Sequence, residues 1–404
     1  MTIPPSVPPL PPDQVVAVPG ELLEAPPAPP APPPPPPPVP APMAWLLTEG
    51  GPAVQARLLR DIAPAVPALR DVLEAVQPAG LATLPYGSRA GWHLLGQQGV
   101  DGQWPAGWLT VPPGSERVGV GTIPAYRRLL ELGWDPEIPS LQVARRGLFR
   151  LLAEDLDWSV MGELTPQFDD EDQIRHGRRI LREAAAAALA QSGHEDDPRL
   201  RGAARRLVQR VNTFLKSPLA AKPWVRLGNQ HVLDADAAPP SFHLLVMLAY
   251  MPTFRSEHAE FMERLYEWLS QPWPRQAAVQ LVGEVVVQEQ PQLALGDYLA
   301  TRTTLDGDIV SALAWLEIMA RLGFLNRHEG WTRLLDRMLG DRDRRGVWTP
   351  PRSVEFPAQV PVWSWPVAPL FDAGWEAADR GWSLDVTFRL LLIAQLAGRE
   401  LLLG

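Results

Sequence analysis

The sequence contains no cysteine, which excludes disulfides and thiolate metal sites and fits a bacterial cytoplasm and a periplasm equally. Lysine is almost absent: Lys216 and Lys222 are the only two. The other basic residues are arginines. Pairs such as Arg145-Arg146 and Arg205-Arg206 fall on amphipathic segments, and no basic block is interleaved with aromatics. With a formal charge of −9, nucleic acid is not an expected partner. Long apolar runs are missing too. The longest, "LLVMLAYM" from Leu244 to Met251, falls far short of the ~20 residues that cross a bilayer, so no transmembrane segment is expected. "MTIPPSVPPLPPDQ" has neither the basic start nor the apolar core of a signal peptide, and a cytoplasmic location is the expectation. Catalytic signatures are scarce. "YGSRAG" around Ser88 is not a Gly-x-Ser-x-Gly elbow, and there is no His-Glu-x-x-His and no Walker or Rossmann glycine pattern. "HVLDAD", with His231, Asp234 and Asp236, reads as a polar loop rather than a metal cage. Neither a metal nor a cofactor is expected.

What is present in excess is proline, with 20 of the 47 in the first 42 residues. A stretch such as "PPAPPAPPPPPPPVPAP" cannot pack a core, so residues 1–43 are expected to be a disordered polyproline II tail. It reads as a stiff tether or as a ligand through which a protein partner binds. Residues 44–404 are expected to form one helical-repeat domain. β-type alternation is scarce there, while helical periodicity with Gly and Pro punctuation dominates. "LLELGWDPEIPSLQVARRGL" and "ALAQSGHEDDPRLRGAARRL" repeat at an offset of 60 residues, Gly133 matching Gly193 and Ala144-Arg145-Arg146 matching Ala204-Arg205-Arg206. Each copy is a helix ending at glycine, an Asp/Pro turn and a second helix, which is an αα-hairpin. Later pairs keep the rhythm. Ile309 to Leu322 is apolar almost all round, an inner helix; Phe261, Met262, Leu265, Trp268 and Leu269 make one stripe of an outer helix, with Glu260, Glu263, Arg264 and Glu267 off it. About five to six such hairpins give an all-α fold, either an open solenoid or a closed αα-barrel.

"GQQGVDGQWPAGW" contains Gln98, Gly102 and Trp104, and "RRGVWTPP" repeats the half Gly346-x-Trp348. These residues resemble the Gln-x(2–5)-Gly-x-Trp element of the terpenoid cyclase and protein prenyltransferase αα-toroid superfamily, squalene–hopene cyclases in particular. The resemblance implies an αα-toroid in which the glutamine amide caps a neighbouring helix and ties adjacent hairpins together. Independently, Asp101-Gly102 forms turns, an amide satisfies orphan groups at a helix end, and indole offers a flat apolar face. Superfamily activities that need cysteine, including zinc-dependent prenyl transfer and lanthionine formation, are excluded.

Class II cyclases of the superfamily use an Asp-x-Asp-Asp acid. The nearest match is "QFDDEDQIRH", where Asp169, Asp170 and Asp172 surround Glu171 at a position the pattern gives to Asp. Clustered carboxylates can keep one acid protonated, and His176, about one helical turn after Asp172, is placed to tune it. The same residues also suit a plain helix N-terminus, with Arg175, Arg178 and Arg179 as ion-pair partners. Of the 16 tryptophans, Trp92, Trp108 and Trp315 are the cavity candidates, and Trp363, Trp365 and Trp375 crowd one irregular stretch as ligand-binding candidates. Three functions are compatible with these residues: a cyclase-like toroid binding, and less readily cyclising, a hydrophobic isoprenoid-type molecule; a non-catalytic scaffold for a protein or peptide; and an (α/α) barrel acting on a polysaccharide.

Overall fold

The computed structural model describes residues 36–69, 78–109, 121–153, 171–287, 292–299, 309–350 and 378–404. Asp169, Asp170, Trp363, Trp365 and Trp375, and the proline-rich stretch up to residue 35, lie outside them. The chain divides into Met1–Pro36 and Pro37–Gly404, and the described elements belong to the second unit. It is mostly helical. The helices that build its core are α1 (Met43–Glu49), α2 (Pro52–Arg57, continued by a π turn over Leu58–Ile62), α3 (Arg89–Leu95), α4 (Thr122–Glu131), α5 (Pro139–Leu151), α6 (Glu171–Gln191), α7 (Pro198–Lys216), α8 (Phe242–Ala249), α9 (Ala259–Leu269), α10 (Ile309–Arg321), α11 (Glu329–Gly340) and α12 (Ala378–Leu396).

The glycines that punctuate the sequence end α4, α6, α10 and α12 in one way. Gly133, Gly193, Gly323 and Gly398 all have φ between 76° and 90°, a left-handed conformation in which a Cβ would be strained. The glycine N–H bonds the carbonyl three residues back, and the next N–H bonds the one five back. Gly133 and Trp134 reach Leu130 O and Leu129 O, and Gly193 and His194 reach Ala190 O and Leu189 O. Gly323 and Phe324, and Gly398 and Arg399, repeat the pattern. This Schellman geometry uses carbonyls that the helix end would otherwise orphan.

Burial separates two kinds of helix. All eight residues of α8 are buried, and α10 buries ten from Ile309 to Ala320, whereas α7 and α9 bury one stripe each. In α6, Ala184 to Ala190 are buried around the short side chains of "AAAAALA", which let α4, α5 and α8 pack closely against it. The largely buried helices touch in sequence: α4 meets α6, α6 meets α8, α8 meets α10, and α10 meets α12. Then α12 packs on α1, α2 and the π turn, and Arg57 Nη1 of α2 donates to Glu131 O of α4 at 3.0 Å.

Two small sheets depart from the all-helical expectation. β1 (Val39–Ala41) pairs in parallel with β6 (Leu401–Leu403), joining the two ends of the unit in the register Val39 to Leu401. β2 (Trp224–Leu227), β3 (Gln230–Leu233), β4 (Gln280–Val282) and β5 (Val285–Val287) form the other sheet in that order. Strands of three or four residues are too short to show a two-residue period in sequence.

The two Gly-x-Trp stretches adopt the same turn. Gly99 N–H bonds Gln103 O and Asp343 N–H bonds Val347 O; Gly102 N–H bonds Gly99 O and Gly346 N–H bonds Asp343 O. The backbone N–H of each tryptophan then donates to a threonine hydroxyl on a core helix, Trp104 to Thr122 and Trp348 to Thr387, both at 3.0 Å. Gln98 Nε2 donates to Gly102 O and to Ser140 O in the first turn of α5, both at 3.0 Å. In the second copy the corresponding position holds Arg342. Its Nη1 donates to Pro40 O at 3.0 Å, in the first strand of the unit. One side chain thus reaches forward to the next hairpin, and the other reaches back to the start of the fold.

Candidate functional site

The C-terminal ends of six helices line one cavity of about 440 Å³. Arg57, Arg60 and Asp61 come from α2 and its π turn, Glu131 from α4, Gln191 from α6, Arg321 from α10 and Gln395 from α12, while Tyr250 follows α8 and Trp134 follows the glycine turn after α4. The charges arise from a spacing that four of these helices share. Arg57 and Asp61, Arg127 and Glu131, Glu317 and Arg321, and Asp385 and Arg389 each stand four residues apart, on one helix face.

They form a network. Arg57 pairs with Asp61, and its guanidinium lies 5.2 Å from the Phe388 ring centre. Arg321 pairs with Glu317 at 2.9 Å and lies 4.6 Å from the Tyr250 ring centre. Arg389 bonds Asp385 at 3.0 Å and reaches Glu317 at 3.6 Å, while Arg128 approaches Glu131 at 3.6 Å. Burial drives the titrations apart. It would raise Asp61, but Arg57 and Arg60 hold that carboxyl at about 2. It likewise opposes ionisation of Glu317, where Arg321, Arg389 and Arg57 win and the group stays below its ordinary range. At Glu131 burial prevails over Arg389, Arg128, Arg127 and Arg57, so its carboxyl is raised. Burial also lifts Tyr250. His243, on α8, is held neutral down to about 3 by burial and by the neighbouring Arg127.

Three polar atoms of this wall have no hydrogen-bond partner among the described residues: Trp134 Nε1, Glu131 Oε2 and Gln395 Oε1. Trp134 is only 2% exposed. Gly91 makes room for it, since a Cβ there would sit 2.4 Å from the indole nitrogen, and the rings of Tyr86 and Trp92 meet it edge-on at 5.1 Å. A buried donor or acceptor left without a partner costs about 1–3 kcal/mol.

Those residues singled out in the sequence that the structure describes do not line this cavity. Asp172 is exposed in the first turn of α6 and pairs with Arg175 at 3.1 Å. At 1.5 Å per residue it stands about 28 Å along the helix from Gln191 at the cavity wall. His176 is buried and contacts Arg179. Trp92 is 54% exposed and donates to Tyr86 O at 2.6 Å. Trp108 is buried against Gly147. Trp315 is fully buried, its ring about 6 Å from those of Phe242, Tyr298 and Trp331. The structure does not gather these residues into one site. The cavity residues, Arg57, Asp61, Glu131, Trp134 and Arg321, escaped sequence reasoning, although a lone acid–arginine pair four apart on an otherwise apolar helix is a readable signal.

Among the described residues no cluster of His, Asp or Glu is arranged to hold a metal ion, and no helix is long and apolar enough to cross a membrane. No protein-family model matches the chain, and neither a curated protein nor a solved structure matches it.

Proposed function

We propose that residues 37–404 form a closed αα-toroid of six hairpins whose polar mouth binds a small, uncharged, hydroxyl- or amide-bearing molecule. The order of contacts among α2, α4, α6, α8, α10 and α12, the return of α12 to α2, and the Arg342 bond to Pro40 support closure. With the inner helices parallel, six C-terminal ends meet at the cavity, each with about half a negative charge. Arg57, Arg60, Arg321, Asp61 and Glu131 line it, and Arg127, Arg128, Arg389, Glu317 and Asp385 complete the charge network around them, six arginines with four carboxylates. The small cationic excess opposes the helix ends, so the mouth has no strong preference for a charged ligand.

The observation that carries this reading is the trio of atoms with no hydrogen-bond partner among the described residues, although Arg128 stands 3.6 Å from Glu131 Oε2. Trp134 offers a donor, whereas Glu131 and Gln395 offer acceptors. An isoprenoid hydrocarbon, the ligand the cyclase resemblance implies, satisfies none of them. A hydroxyl or amide satisfies both kinds. The reading is binding rather than turnover, because Asp61 is engaged by both Arg57 and Arg60 and so makes a poor base.

Native mass spectrometry of gently purified protein tests it, beside Trp134→Phe, which keeps an aromatic ring and removes the N–H. Wild type is expected to retain a polar small molecule, or to bind one from a panel of sugars, polyols and amides. The variant is expected to bind it about 5–10-fold more weakly, as loss of one buried hydrogen bond implies. A protein that binds nothing in the panel and carries no ligand contradicts the proposal, and a co-purifying isoprenoid replaces it with the cyclase-like reading.

A further inference from the structure

A second concavity, independent of the mouth, runs between α7 and the segment Ser256–Arg264 and encloses about 950 Å³. Its walls carry five cations, Arg205, Arg206, Arg210, Lys216 and Arg264, against two carboxylates, Glu257 and Glu260. This basic excess stands out on a chain of formal charge −9. Arg205, Gln209, Asn212 and Lys216 are spaced 4, 3 and 4 residues apart, one helix face. At 1.5 Å per residue this line is about 16 Å long.

The charges are only partly used. Glu257 is taken by Arg201, with both oxygens at 2.6 Å, and Arg264 spends its Nε on Asn212 at 3.0 Å. Arg210 pairs with the buried Glu183 at 2.7 Å, but its buried Nε has no partner among the described residues. Arg205 and Lys216 are exposed and make no hydrogen bond or close ion pair among the described residues. Behind Arg210, Arg179 is lowered to about 10, first by burial and then by Arg210 itself, so local positive charge outruns its carboxylates. Val208 and Phe261, both buried, give the groove an apolar floor.

We infer that this groove docks an acidic peptide segment of a partner protein, about five extended residues long at ~3.3 Å each. A line about 16 Å long, with a cation at each end and two amides between, exceeds what one small anion needs. The apolar floor suits a side chain between two carboxylates, and Glu257 and Glu260 on the opposite wall disfavour the continuous charge of a nucleic-acid strand. Carboxylates would pair with Arg205 and Lys216 at the two ends of the line.

The test selects a displayed random-peptide library against the wild-type chain, then measures the best peptide by fluorescence anisotropy on wild type and on Arg205→Glu/Lys216→Glu. The expected pool is rich in Asp and Glu around an apolar residue. Its affinity is expected to fall at least about tenfold in the double variant and to weaken with salt. Both substituted side chains are exposed, so the variant's circular dichroism and thermal midpoint should match wild type; Arg205→Gln/Lys216→Gln, with no new negative charge, should lose less. A pool without acidic enrichment, equal binding by the charge-reversed variant, or displacement of the peptide by a single-stranded oligonucleotide at comparable affinity would overturn the inference.

Discussion

Gly102→Ala is expected to lower the unfolding free energy by about 2–5 kcal/mol, the sum of left-handed backbone strain and overpacking. Gly102 has φ +85°, and a Cβ there would lie 2.6 Å from Val143 Cγ1 and 2.9 Å from the backbone nitrogen of Ala144. Neither neighbour can yield without moving α5. Gly193 provides the control. Its φ of +83° is nearly the same, but nothing lies within 4 Å of the added carbon, so Gly193→Ala should cost only the strain, about 1–2 kcal/mol. Urea unfolding of both variants at equal denaturant slope measures the difference. Equal costs would show that Gly102 answers only to backbone conformation, and that the turn does not hold α5 closely.

The second large effect is expected at Arg389. Its guanidinium is buried, 3.0 Å from Asp385 and 3.6 Å from Glu317. Arg389→Met fills the volume but takes away the guanidinium that bonds the Asp385 carboxylate, whose side chain is 3% exposed. Breaking a buried pair in this way costs about 3–5 kcal/mol. Arg389→Met/Asp385→Leu removes that buried carboxylate as well, while Glu317 keeps Arg321 at 2.9 Å. The double variant should therefore recover much of the loss, because replacing both members of a buried pair by apolar groups is often close to neutral. Chemical denaturation of the single and double variants checks the order. A single variant as stable as wild type would mean that Asp385 finds water or another donor, and that the network is not closed to solvent.

Both variants probe features that were unequally legible in the sequence. The hairpin rhythm was plain, because Gly133 and Gly193 end helices with the same pair of hydrogen bonds and the following Asp135 and Asp197 open the next turn. Local chemistry dictates such ends wherever they fall. The near-complete burial of α10 and the single buried stripe of α9 are also readable from their apolar patterns. The second Gly-x-Trp stretch was found without its glutamine, yet the role of Arg342 was hidden, since its acceptor at Pro40 lies 302 residues away. No local pattern reveals so distant a partner.

The site was less legible for a related reason. Carboxylates adjacent in sequence, as from Asp169 to Asp172, are conspicuous, but Asp172 is an exposed first-turn residue paired with Arg175. Asp61, Glu131 and Glu317 are single acids on separate helices, and only packing brings them to one network with Arg57, Arg321 and Arg389. Trp315 showed the opposite ambiguity. A tryptophan in the middle of an apolar helix fits a cavity wall or a core equally well, and its distance of about 6 Å from three other rings decides for the core.

Ring closure is the claim on which the proposed mouth depends, and the absence of native cysteine makes it directly measurable. Pro40 and Leu402 stand opposite each other in the β1–β6 register, and both are exposed. In Pro40→Cys/Leu402→Cys, any intramolecular disulfide must join the two ends of the unit. The account predicts near-complete oxidation in the folded protein, no thiol reacting with a titrating reagent, and a gain in stability of about 2–4 kcal/mol. Two thiols that stay titratable under native oxidising conditions would contradict it, leaving an open array of hairpins with no closed mouth.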